Sequence, residues 1–135
     1  MVDSSVWIDV LGNRETRQTI AFHQLLADRQ RVIAGDLVIA EVLQGTRSDR
    51  DFRETLATLE AFEPVTISGT RVAIEAARSY RTLRALGITP RKTVDTLIAT
   101  RCILDRIPLL YSDRDFDPFV EHLGLISALD ASGVN

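Results

Sequence analysis

Thr93-Val94-Asp95-Thr96-Leu97-Ile98-Ala99-Thr100-Arg101-Cys102, followed closely by Pro108-Leu109-Leu110-Tyr111-Ser112-Asp113, is the stretch whose reading decides the fold. In the first part Val94, Leu97, Ile98 and Cys102 recur at helical spacing. That spacing predicts a helix capped by Thr93 and running to about Asp105. The second part is a short apolar run ending in a polar turn, Ser112–Asp117, and reads as a buried strand. A helix feeding a short buried strand is half of a β-α-β unit.

The same alternation extends in both directions. Met1-Val2 starts a strand, and Asp3, Ser4 or Ser5 can cap the turn Val6–Leu11. Glu15–Ala27 carries Ile20, Phe22, Leu25 and Leu26 at helical spacing. Arg31-Val32-Ile33-Ala34 reads as a strand closed by Gly35. Asp36 is placed to cap a helix over Leu37–Gln44, with Gly45 past its end. Asp49–Ala61 places Phe52, Leu56 and Leu59 on one face. Val65-Thr66-Ile67 is a β-branched strand, and Ser68 caps a long helix from about Gly69 to Leu86. Pro118–His122 is a short helix and Gly124–Ser127 a last strand. The predicted order is β-α-α-β-α-α-β-α-α-β-α-β. Strands so far apart cannot pair as hairpins, so the class is α/β, with parallel strands and helical crossovers. No linker or repeat interrupts the pattern, and a single domain over 1–135 is expected.

Composition narrows the function. The chain has 135 residues, 45% hydrophobic and 26% charged, which excludes a disordered chain or a coiled coil. Sixteen Lys+Arg against nineteen Asp+Glu leave a net charge of −3. A nucleic-acid partner would therefore need local cations or a bound metal. Cys102 is the single cysteine, which excludes an internal disulfide and a cysteine-based zinc site. It reads as a small core residue. No export signal or membrane-spanning run is present, and a cytoplasmic location is expected. There is no Ser or Cys nucleophile motif, no H-E-x-x-H and no phosphate-binding glycine loop. His23 reads as a helix-side histidine, and His122 suits a helix end.

The acids are placed unusually. In open α/β sheets, ligands bind beyond the carboxyl ends of strands. Asp3 follows the first strand, and Asp113 and Asp115 follow the Pro108–Tyr111 strand. Asp95 sits in a first helical turn, on a face expected to pack inward. Glu41 sits in the apolar run Leu37–Leu43, where the helix is expected to be buried nearly all round. Each acid has an ordinary explanation. Asp3 can be a cap, Asp113 and Asp115 turn formers, Asp95 a partner of the helix dipole, and Glu41 half of a salt bridge. Together at one sheet edge they would repel, two carboxylates ~4 Å apart losing ~4 kcal/mol at an effective dielectric of ~20. A divalent cation reverses that sign, and an all-oxygen donor set suits Mg²⁺ or Mn²⁺.

Four motifs in series carry a resemblance. They are Val2-Asp3-Ser4-Ser5-Val6-Trp7-Ile8-Asp9; Ile39-Ala40-Glu41-Val42 with Gln44-Gly45; Thr93-Val94-Asp95-Thr96-Leu97-Ile98-Ala99; and Leu109-Leu110-Tyr111-Ser112-Asp113-Arg114-Asp115-Phe116-Asp117. In order and spacing the chain resembles the PIN-domain ribonucleases and, more narrowly, VapC toxins of bacterial toxin–antitoxin pairs. The resemblance implies a PIN-like fold with a central, mainly parallel sheet of four to five strands flanked by helices. It implies a Mg²⁺- or Mn²⁺-dependent endoribonuclease with Asp3, Glu41, Asp95 and Asp113 as catalytic and metal-binding acids. Asp115 would be a fifth, peripheral metal ligand. It also implies a homodimer and a cognate antitoxin whose C-terminal segment fills the groove. Tyr111 stands where some relatives carry Thr, and the hydroxyl here is Ser112.

An RNA substrate would need cations outside the pocket, and Arg47, Arg50, Arg91, Lys92 and Arg114 are candidates. Arg114, between Asp113 and Asp115, is the best placed of these. Two rivals stay open at this point. One is a metal-dependent phosphoesterase acting on another nucleic acid, and the other is a non-catalytic binding module with an acidic pocket.

Overall fold

The computed structural model describes residues 1–131. The chain-terminal end of the expected domain, 132–135, lies outside the described residues. Helices dominate: α1 (Ser4–Leu11), α2 (Arg17–Ala27), α3 (Asp36–Gln44), α4 (Asp49–Glu60), α5 (Thr70–Ala85), α6 (Thr93–Leu104), α7 (Asp117–Leu123) and α8 (Ala128–Ala131). A 3-10 turn, Arg114–Phe116, leads into α7. Two regular strands, β1 (Ile33–Gly35) and β2 (Glu63–Val65), pair in parallel.

The sheet is wider than its regular strands. Val2 N–H donates to Ile33 O at 3.3 Å, beside β1. Val2 and Leu110 form a parallel bridge, and so do Leu109 and Ser127. Five chain segments therefore line up as β2, β1, 1–3, 109–110 and 126–127. This fits the expected α/β class with a parallel sheet. Of the five expected strands, however, only two are regular strands among the described residues. The other three leave the sheet after one or two residues. The chain turns into α1 straight after Val2, and into α8 straight after Ser127.

The ends of the elements show why the segments are so short. Asp3 is the N-cap of α1, and its Oδ2 accepts from Ser5 N–H at 3.0 Å. Gly35 ends β1 and is the N-cap of α3. A Cβ on Gly35 would stand 2.2 Å from Ile67 Cδ1, so only glycine lets the fully buried Ile67 close over this junction. Asp36 is the first residue of α3 rather than its cap. Its Oδ1 accepts from Leu37 N–H at 2.9 Å and from Ile67 N–H at 2.8 Å, tying two crossings together.

Two further caps differ from expectation. Gly69 and Lys92, not Ser68 and Thr93, hold the N-cap positions of α5 and α6, and neither gives a side-chain cap bond. Gly69 has φ 131°, which a side chain at that position would resist.

The core joins both sides of the sheet. Val2, Ile33, Leu109 and Leu110 are buried in it. Against it on one side pack Trp7, Phe22 and Phe62, edge to face, with Trp7 at 5.2 Å from Phe22 and 4.9 Å from Phe62. Cys102 is buried, as expected. Phe52, placed on an inward face by spacing, is 41% exposed. The helix buried nearly all round is α6, where Asp95, Thr96, Ile98, Ala99, Thr100 and Cys102 are all buried. The expectation for the Glu41 helix was wrong: α3 buries only Val38 and Val42, and Ala40 is exposed. The apolar run Leu37–Leu43 thus exceeds the one stripe of α3 that packs inward, and Leu37, Ile39 and Leu43 are only partly buried. Among the described residues no helix is long and apolar enough to cross a membrane.

Candidate metal centre

Asp3 reaches the pocket because the first sheet segment ends there. Its N–H donates to Leu110 O at 2.9 Å, which sets it beside the segment that leads to Asp113. Ser5 then fixes the carboxylate. Its hydroxyl donates to Asp3 Oδ2 at 2.6 Å and accepts from Ser112 N–H at 3.1 Å. Ser5 thus bridges two acid-bearing segments. From the sequence Ser5 is legible only as a possible cap, and its place two residues after Asp3 is the signal for its second role.

Asp95 enters from the first turn of α6, three and four residues before the fully buried Ile98 and Ala99. Its inward face is the one the spacing predicts. Asp113 is held by its own turn, its Oδ1 accepting from Asp115 N–H at 3.0 Å. Glu41 approaches from α3, and Ser4 Oγ donates to its Oε1 at 3.3 Å.

Asp95, Asp113 and Asp115 each offer one carboxylate oxygen, and these three atoms lie within 4.8 Å of one another. Asp3 and Glu41 stand beside this trio and are coupled to it by charge. Of the four expected acids, Asp95 and Asp113 therefore share the close cluster, Asp3 and Glu41 lie near enough to couple to it by charge, and Asp115, expected at the periphery, is part of the cluster itself. Asp115 is also the one held most firmly by a cation: Arg91 Nη2 donates to its Oδ1 at 2.9 Å and Oδ2 at 3.1 Å, and Arg91 Nε to Oδ2 at 3.2 Å. Lys92 Nζ donates to Asp113 Oδ2 at 3.2 Å and stands 3.8 Å from Asp95 Oδ2. Arg91 and Lys92, expected as candidate RNA contacts, are therefore bound to the pocket itself. Arg50 is paired with Glu54. Arg114 is exposed and forms no ion pair among the described residues.

The electrostatics follow from burial and crowding. Asp3 is 3% and Asp95 5% exposed. Burial pushes the Asp3 carboxyl above its ordinary range, against the pull of the Ser5 hydrogen bonds. Burial pushes Asp95 up to about 6, with the Asp3, Asp113 and Glu41 charges adding to the rise and Lys92 opposing it. Glu41 is raised by desolvation and then by Asp3. Asp113 alone is lowered, first by the Asp115 N–H and then by Lys92.

Three buried oxygens have no hydrogen-bond partner: Asp3 Oδ1, Asp95 Oδ2 and Ser112 Oγ. Among the described residues the only other such side-chain atom is Trp7 Nε1. Unpartnered buried polar atoms are rare because each costs ~1–3 kcal/mol, more when charged. Their concentration beside one cluster of acids suits a cation as their shared partner. The donor set, all oxygen, fits a hard divalent cation.

The Asp95 shift has a consequence for stability. Its folded pKa of about 6 lies above the ordinary 3.8. The stability it contributes is therefore full below pH ~4 and is lost as the pH rises through ~6. In divalent-free buffer the melting temperature of the wild type relative to Asp95→Asn should fall between pH 4 and pH 7. A difference that is flat across that window would show that Asp95 is not strained by its surroundings.

Parallel segments ending in acids, with a buried helix start adding another, define an α/β domain with an acidic pocket at the carboxyl edge of its sheet. The PIN domain family model matches residues 1–120. The chain belongs to the PIN-domain family. Its fold is also similar to that of a chain in the crystal structure of VapBC2 from Rickettsia felis bound to a DNA fragment from their promoter. The TM-score is 0.72 at 19% identity, over 94% of this chain and 95% of that one.

Proposed function

We propose that this chain is a Mg²⁺- or Mn²⁺-dependent endoribonuclease and the toxin of a toxin–antitoxin pair. One observation carries the reading: the unpartnered buried oxygens of Asp3, Asp95 and Ser112 gather in the acidic pocket of a PIN domain. Asp3, Asp95 and Asp113 would hold the cation, and Asp115 would join them on release from Arg91. When bound, the cation supplies charge neutralisation at the phosphodiester and lowers the pKa of attacking water.

The chain's own groups do the rest. Ser5 locks the Asp3 carboxylate so that one oxygen faces the pocket. Glu41 is half-buried and forms no ion pair among the described residues. Its Oε1 is oriented by Ser4, leaving Oε2 to orient the attacking water and take its proton. Its raised pKa makes it a better base than an exposed Glu. Attack at phosphorus with departure of the 3′-oxygen gives a 5′-phosphate and a 3′-hydroxyl. The N-terminus of α6 leaves N–H groups free near that charge, since no side chain caps it. Arg114 is the cation best placed to meet the RNA backbone.

The likeness to VapBC2 supports a protein partner, a cognate antitoxin that covers the acidic groove. A homodimer, a single domain over 1–135 and a cytoplasmic location complete the reading. The test is to induce the protein and map new 5′-phosphate ends in total RNA, beside Asp95→Asn. New ends that appear with wild type alone support it. Identical ends with Asp95→Asn would overturn the mechanism. Cleavage of DNA but not RNA would point to the other nuclease class, and no cleavage with intact metal binding to a binding module.

A further inference from the structure

Lys92 occupies a position that the helix itself disfavours. It is the N-cap of α6, where Ser, Thr, Asp or Asn would bond a free N–H and where a cation meets the positive end of the helix dipole. The good cap residue, Thr93, stands one place too late. Lys92 gives α6 no side-chain bond, and its ammonium instead turns to the acids.

The geometry is that of partial neutralisation. Nζ is 3.2 Å from Asp113 Oδ2 but 3.8 Å from Asp95 Oδ2, which stays without a hydrogen bond. One monovalent charge thus faces several acids and satisfies one of them. The neighbouring Arg91 grips Asp115 with its guanidinium fork, and this fixes the loop that carries Lys92. Lys92 is also free to leave. Its side chain is 54% exposed, so solvent already reaches the ammonium.

We propose that Lys92 is a built-in counter-ion of the acidic pocket, which holds Asp113 and Asp95 in the divalent-free protein and which a divalent cation must displace. Lys92 thereby sets the concentration at which the pocket fills. The inference rests on the metal-centre reading above and adds a positioning residue to it. The physical reason is direct: an ammonium a few ångströms from the ligands competes for them and repels a doubly charged ion.

The experiment is Mn²⁺ titration by calorimetry of wild type, Lys92→Met, Lys92→Arg and Asp95→Asn at low salt, with melting temperatures in divalent-free buffer. Lys92→Met should bind Mn²⁺ about five- to twentyfold more tightly than wild type. The gain should shrink as KCl is added, because salt screens the ammonium. Lys92→Arg should keep the wild-type Kd within about twofold. Without Mn²⁺, Lys92→Met should melt lower than wild type, and with saturating Mn²⁺ it should recover. A Kd for Lys92→Met equal to or weaker than wild type overturns the proposal while leaving the metal centre standing. A wild type that binds no Mn²⁺, or binds it equally well with Asp95→Asn, overturns the metal centre itself and the proposal with it.

Discussion

Asp95→Asn is expected to lose divalent-stimulated RNA cleavage by at least about a hundredfold while making the metal-free protein more stable. Both effects come from one cause. Asp95 is a buried carboxylate with an unpartnered oxygen, held among Asp3, Asp113 and Glu41. Removing a ligand of this kind exceeds the roughly 10–100-fold losses seen when only the outer shell of a metal site is altered. The same substitution removes a charge that the folded protein accommodates poorly. A pKa of about 6 against 3.8 would convert to about 3 kcal/mol at neutral pH. Solvent screening around a site open at one side reduces this to the order of 1 kcal/mol. For a chain of this size that is a rise in melting temperature of roughly 3–5 °C. Cleavage assays with Mn²⁺ and thermal melts in chelator check the two halves. Lost activity with a lowered melting temperature would mean that Asp95 is a structural residue.

Trp7→Ala is expected to destabilise the protein by about 3–5 kcal/mol, the range for deleting a buried large aromatic. Trp7 is fully buried and meets Phe22 and Phe62 edge to face. The void would open under α1, the helix that Asp3 caps. The melting temperature should fall by roughly 10–20 °C. Trp7→Phe should fall much less, because the indole N–H has no partner to lose. Denaturant unfolding of the three proteins measures this. Equal losses for both variants would mean that the indole N–H holds an unseen bond.

Periodicity and strand-end acids carried the α/β class and the four acids, because each rests on local patterns. Asp95 was readable because Ile98 and Ala99 fix its face of α6. The sheet's width was not readable in detail, since three of its segments meet through only two isolated bridges, with no alternation to detect. The burial of α3 was misread because apolar content alone does not say how many sides of a helix are covered. The ion pairs of Arg91 and Lys92 with Asp115 and Asp113 join residues more than twenty apart, across a loop whose path only the fold determines. Ser5 was hidden for a different reason. Its bond to Asp3 is local, but its bridge to Ser112 spans 107 residues and only the fold determines it.

A crystal soaked in Mn²⁺ and measured at the manganese absorption edge tests the central claim most directly. The expected result is one strong anomalous peak bounded by Asp3, Asp95 and Asp113, with Lys92 turned away from it. A map with no peak there at a Mn²⁺ concentration that supports cleavage, and the buried oxygens still unmatched, would contradict it.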